Sequence, residues 1–151
     1  MSQSPSPLDA SRLVIHKSDS LRQCPPVKDI VFGRTFTDHM LKIPWTAARG
    51  WGEPSIEPYG PLSLEPSSVV LHYAVTLFEG MKAYRDDHGK VRLFRPEKNM
   101  ERMNRSASRI CLPNFDETEL LKLIKKLVQL DQHWVPSEPG YSMYILSLIH
   151  I

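Results

Sequence analysis

Apolar residues recur three and four apart along two stretches of the chain, and there the sequence predicts helix. Met100, Met103, Ala107 and Ile110 share one face after Pro96, a residue suited to a first helical turn, and Pro113 prevents continuation. Leu120, Ile124, Leu127 and Val128, with Trp134 beyond them, form a second stripe, and Lys122, Lys125 and Lys126 occupy its wet side. Asp116 and Glu119 stand at the D-x-x-E spacing of a capping box before that helix. A shorter helix is expected from Ser67 or Ser68 through Val69, Val70, Tyr73, Ala74 and Leu77, closed by Gly80.

The remaining pattern is strand-like. Ile30-Val31-Phe32 and Phe36 to Ile43 read as short strands punctuated by Gly33. The runs MKAYR and KVRLF flank Asp86-Asp87-His88-Gly89, whose turn chemistry predicts a hairpin. The run YSMYILSLIHI, from Tyr141, is a further strand. Five prolines from Pro44 to Pro66 leave little room for regular structure between them, and Trp45 and Trp51 are expected to pin that connection to the core. Hairpins with segregated helices predict an α+β domain.

Composition narrows the class. The opening MSQSPSPLDAS is rich in Ser and Pro with little apolar surface, so residues 1–28 are expected to be a disordered leader. It lacks the apolar core of a secretory signal. Arg12, Lys17 and Arg22 would suit a mitochondrial presequence, but Asp9 and Asp19 oppose it, and the cytoplasm is the expected compartment. A net charge of +2, from 19 basic and 17 acidic residues spread along the chain, calls for no nucleic-acid partner. No apolar run approaches the roughly 20 residues that cross a bilayer. Cys24 and Cys111 are not expected to pair, and Cys111 is expected to be buried. Scattered His16, His39, His72, His88, His133 and His150 have no ligand spacing, so no metal site is expected.

Two groups could carry chemistry. Arg102, Arg105 and Arg109 recur on one helix, and a guanidinium fork suits phosphate or carboxylate. The alternative is a solvated basic face, with Glu101 pairing Arg105 four residues on. Tyr73 and Phe78 could wall a small-molecule pocket, or simply be core.

At these residues the chain resembles a known family. FGRTFTDHML from Phe32, LHYAVTLFEGMKAYR from Leu71 and VRLFRPEKNMERMNRSASRICLP from Val91 closely resemble the amino-terminal small domain of branched-chain amino acid aminotransferases, fold-type IV enzymes that use pyridoxal 5'-phosphate. The resemblance implies that Arg102 binds the cofactor phosphate, leaving Arg105 and Arg109 structural. It implies that Phe32, Tyr73, Phe78 and Tyr144 line the pocket for the substrate side chain. The implied reaction passes the amino group of Leu, Ile or Val to 2-oxoglutarate in a homodimeric enzyme. The domain so marked runs over 29–145.

Two departures qualify this. After Tyr144-Ile145 the family has an arginine where this chain has Leu146, and 146–151 reads as a tail outside the family pattern. The family's Schiff-base lysine lies in a second domain, and none of the nine lysines here shows the desolvated setting to replace it. The chain is therefore expected to be a truncated fragment, inactive by itself and poorly packed in isolation. The alternatives are a non-catalytic isoform acting through mixed dimers, or another fold-type IV aminotransferase.

Overall fold

In a computed structural model, which describes residues 5–151, one α-helix packs on a three-stranded sheet and a second bridges that helix to another small sheet. Ten elements carry this arrangement. The strands are β1 (Val14–Ile15), β2 (His39–Lys42), β3 (Trp45–Thr46), β4 (Gly50–Trp51), β5 (Ser55–Pro58), β6 (Thr76–Arg85), β7 (Val91–Leu93) and β8 (Met143–His150). The helices are α1 (Pro96–Arg109) and α2 (Glu117–Leu130). The α+β expectation is met.

Both helices form where the apolar stripes lie. Met100, Met103 and Ala107 are buried on α1, and Leu120, Leu121, Leu123, Ile124 and Val128 on α2. They meet Leu77, Met81 and Ala83 of β6 and Ile145 of β8 in one apolar cluster. Ile110, just past α1, is exposed. Asp116 caps α2, its carboxylate accepting from the Thr118 and Glu119 backbone N–H groups at 2.8 and 3.0 Å. The reciprocal half of the capping box is absent. Glu119 instead accepts from the backbone N–H of Ala10 at 2.7 Å, tying the start of the chain to α2.

That tie corrects the expectation of a disordered leader. Leu8 is 3% exposed within the helical cluster, and β1 pairs in parallel with β5. Few apolar residues suffice when each reaches a core that local sequence does not reveal. Residues 1–4 lie outside the described part.

Three further expectations are corrected. The helix expected from Val69 to Leu77 is a single 3-10 turn, Val69–Leu71, and β6 runs straight through Gly80. Spacings of three and four fit Val69 to Leu77, but from Leu77 onward burial alternates with period two, and tertiary pairing decides. Ile30-Val31-Phe32 forms no strand; the chain turns there, with Gly33 at φ +78°, and regular structure begins at His39. The Pro44–Pro66 connection contains β3, β4 and β5, and β5 is the central strand of the β1-β5-β2 sheet, with Pro58 confined to its end. Trp51 does anchor it, packing against the cluster and donating its indole N–H to the Asn114 carbonyl at 2.9 Å.

The hairpin is as expected. β6 and β7 pair antiparallel, and Asp86 accepts from the His88 and Lys90 N–H groups at 3.0 and 2.8 Å. Both cysteines are free, and Cys111 is exposed, not buried, because it turns out of α1 with φ +58°. β8 spans the residue-146 boundary without interruption, pairing with β6 from Ala83↔Met143 to Thr76↔His150, so 146–150 is integral to the sheet.

A polar knot joins β2 to the end of α2. His39 is buried and places Nδ1 2.6 Å from Asp131 Oδ1, while its backbone N–H donates to Oδ2 at 2.9 Å. Its Nε2 accepts from the Ser18 N–H at 2.9 Å, so the ring proton sits on Nδ1 and is donated to Asp131. Beside it, Asp38 accepts from the Arg22 backbone and Nε groups and from Trp134 Nε1, and touches His133 Nε2.

Candidate functional site

Alternation along β6 sends Leu77, Glu79, Met81 and Ala83 toward the helices and Phe78, Lys82 and Tyr84 outward. One member of the inner row is a carboxylate, 4% exposed, and a buried charge persists only with partners. α1 supplies them. Arg102 donates Nε to Oε2 at 2.8 Å and Nη2 to Oε1 at 2.5 Å, and Asn99 Nδ2 donates to Oε1 at 2.9 Å. Burial pushes the Glu79 carboxyl up, but the Arg102 fork, the Asn99 amide and the Gly80 N–H outweigh it and hold the group below the usual carboxylate range. The hydrogen bonds to Glu79, and then its charge, raise Arg102 in turn.

Glu79 was not among the residues the sequence singled out. The signal was present: alternation through Leu77, Met81 and Ala83 puts position 79 on an apolar row, where a carboxylate demands a cation.

Arg102, Phe78, Gly80, Ser106 and Tyr144 surround an open recess of about 370 Å³ above the Glu79 pair. A larger open depression adjoins it along α1, bordered by Phe78, Ser106, Arg105 and Arg109. Glu101 pairs with Lys98 and not with Arg105. Gly80 is required by the recess: a Cβ there would meet the Tyr144 ring, at 2.7 Å from Cε2 and closer to the hydroxyl. Phe32 sets its ring edge-on to Tyr144, with centroids 5.6 Å apart. Arg102, Phe78 and Tyr144 therefore share one recess, and Phe32 adjoins it only through its contact with Tyr144. Tyr73 does not; it is 77% exposed, stands before the left-handed Ala74, and touches His72 instead. Leu146 faces outward beside Gly80 in the β6–β8 register.

Gly80→Ala is expected to swing the Tyr144 ring out of the recess while changing stability by only about 1 kcal/mol, since an exposed ring can move. Loss of the Phe32–Tyr144 ring contact by proton NMR would report it, and an unaltered contact would refute it.

Among the described residues no cluster of His, Cys, Asp or Glu could hold a metal ion, and no helix is long and apolar enough to cross a membrane.

No family model matches the chain. Individual proteins do. The mitochondrial branched-chain-amino-acid aminotransferase of Saccharomyces cerevisiae is 57% identical over 139 residues, 92% of this chain and 35% of that protein. The cytosolic enzyme of the same yeast is 56% identical over 139 residues, 92% of this chain and 37% of that protein. The cytosolic mouse enzyme is 52% identical over 136 residues, 90% of this chain and 35% of that protein. Among solved structures, Escherichia coli branched-chain amino acid aminotransferase superposes with a TM-score of 0.53 at 23% identity, over 64% of this chain and 30% of that one, which shows a shared fold. The chain spans about a third of the length of the curated relatives it matches. Identity above one half across nine tenths of its residues exceeds what a common fold alone produces, and on it the chain belongs to the branched-chain-amino-acid aminotransferase family, as a segment of its members.

Proposed function

We propose that this chain forms one wall of a pyridoxal-phosphate site that transfers amino groups from branched-chain amino acids. The observation that carries the reading is the convergence of Arg102 with Phe78 and Tyr144 on a single recess. The donor set fits a phosphorylated aromatic group: a guanidinium with N–H groups to spare borders the recess, beside aromatic walls. Arg102 would hold the phosphate, and the cofactor, when bound, supplies the electron sink for moving the amino group.

The walls decide specificity. Phe32, Phe78 and Tyr144 offer apolar surface to Leu, Ile or Val, worth about 0.8 kcal/mol per buried CH₂. The same surface penalises a charged side chain left unpaired. Tyr73, which stands apart, is proposed as a pocket residue on the family resemblance alone. The compartment proposed is the cytoplasm, since the segment around Leu8 is packed on the core and carries Asp9 and Asp19 among its cations. The 139 matched residues exceed the 117 of 29–145 (145 − 29 + 1), so the family unit is proposed to reach back into residues 5–28, and the proposed assembly is a homodimer.

No lysine lines the recess, so the proton-shuttling amine must come from outside this chain's walls. The 151-residue chain alone is accordingly proposed to be inactive. In a protein carrying this segment, leucine with 2-oxoglutarate should be turned over, and Phe78→Ala should shrink the preference in kcat/KM for leucine over alanine by roughly tenfold. Preferred turnover of a charged or D-amino acid would sink the substrate assignment.

A further inference from the structure

We infer that Glu79 is a positioning residue for oxyanion binding: its buried carboxylate grips one edge of the Arg102 guanidinium, so that the opposite edge meets the recess as a preset fork. This rests on the reading of Arg102 as a phosphate ligand. An ionised carboxylate is acceptor-only, and four N–H groups converge on it, from Arg102 Nε and Nη2, Asn99 Nδ2 and the Gly80 backbone. Glu79 itself is fixed by its place in the inner row of β6, with its side chain 3% exposed while Arg102 is 54% exposed.

A guanidinium carries five N–H groups in a plane. Glu79 uses Nε–H and one hydrogen of Nη2, which leaves Nη1 and the second Nη2 hydrogen as an end-on pair. No described residue accepts from Nη1. A loose arginine would lose rotamer freedom on meeting an anion, whereas one already gripped loses less.

The same carboxylate also repels an oxyanion, and this opposition makes the inference testable by sign. If aim dominates, removing Glu79 weakens anion binding; if its charge dominates, removal strengthens it.

The test is titration of the 151-residue chain with inorganic phosphate, followed by the Arg102 Nε–Hε resonance. The wild-type signal should shift saturably. Glu79→Asp keeps the charge but withdraws the grip by one methylene, and Glu79→Gln removes the charge and turns an NH₂ toward the converging donors. Each should bind phosphate at least about fivefold more weakly. Binding by either variant that equals or exceeds wild type overturns the positioning role and leaves the Arg102 assignment standing. A wild-type signal that ignores phosphate overturns the Arg102 assignment, and the positioning role with it. Should Glu79→Gln fail to fold, Glu79→Asp decides alone, because its charge is unchanged.

Discussion

Arg102→Ala is expected to weaken pyridoxal 5'-phosphate binding by roughly 100-fold or more in a protein carrying this segment, because a two-point, charge-assisted contact to phosphate is lost. Pyridoxal, which lacks the phosphate, should bind equally to wild type and variant. Arg102→Lys should fall between, since an ammonium keeps the charge but cannot hold Glu79 by one edge and phosphate by the other. Cofactor titration by absorbance decides the matter, and an unchanged dissociation constant in Arg102→Ala would remove the basis of the proposed function.

The same variant carries a second, independent signature. In the wild-type protein the Glu79 carboxyl is held low, so its stabilising effect is present above the unfolded value and lost as pH falls through the folded one. Without Arg102 the strongest opposing partner is gone, and only the Asn99 amide and the Gly80 N–H still oppose burial. The folded pKa should rise toward the unfolded one, so in urea unfolding Arg102→Ala should lose less stability than wild type as pH falls through the carboxylate range. Equal losses would mean that Arg102 is not what holds the carboxylate low.

How far the sequence foretold this arrangement depends on the range of the interactions involved. The α1 and α2 stripes and the Asp86–Gly89 turn are local patterns, and each formed where it was read. MKAYR reads correctly as strand, whereas the first half of β6, up to Gly80, escapes the local pattern because Val69 to Leu77 satisfies helical spacing and Gly80 resembles a helix stop. Its actual reason for being glycine is the Tyr144 ring, 64 positions on (144 − 80), which no local window contains. Leu8 and β1 were assigned to a loose leader for the same reason: their partners are α2 and β5.

The candidate site divides along the same line. Of the residues that the resemblance marks, Arg102, Phe78 and Tyr144 border one recess, Phe32 touches only Tyr144, and Tyr73 stands away from them. The buried polar groups, Glu79 on one side and Asp38, His39 and Asp131 on the other, were passed over. Each sits in or beside an apolar run, which is where a polar side chain implies a distant partner.

The Asp38 knot yields the other large effect. Asp38→Asn is expected to destabilise the fold by about 3 kcal/mol at neutral pH. Its Oδ1 accepts from the Arg22 N–H and Nε, and its Oδ2 from Trp134 Nε1 while touching His133. An amide places an NH₂ against one of these sets, whichever way it turns. Burial raises the Asp38 carboxyl, but the Trp134, Arg22 and His133 contacts prevail and lower it from 3.8 to about 2. The sign follows: a depressed folded pKa means stability that is fully present above the unfolded value and is lost as pH falls from about 4 toward 2. The shift corresponds to about 2 kcal/mol. Asparagine does not titrate, so the gap between wild type and Asp38→Asn should narrow by that amount between about pH 5 and pH 2. Urea unfolding across this range measures it directly. Curves that stay parallel down to pH 2 would mean that the carboxylate is not what fastens the Arg22 segment to Trp134.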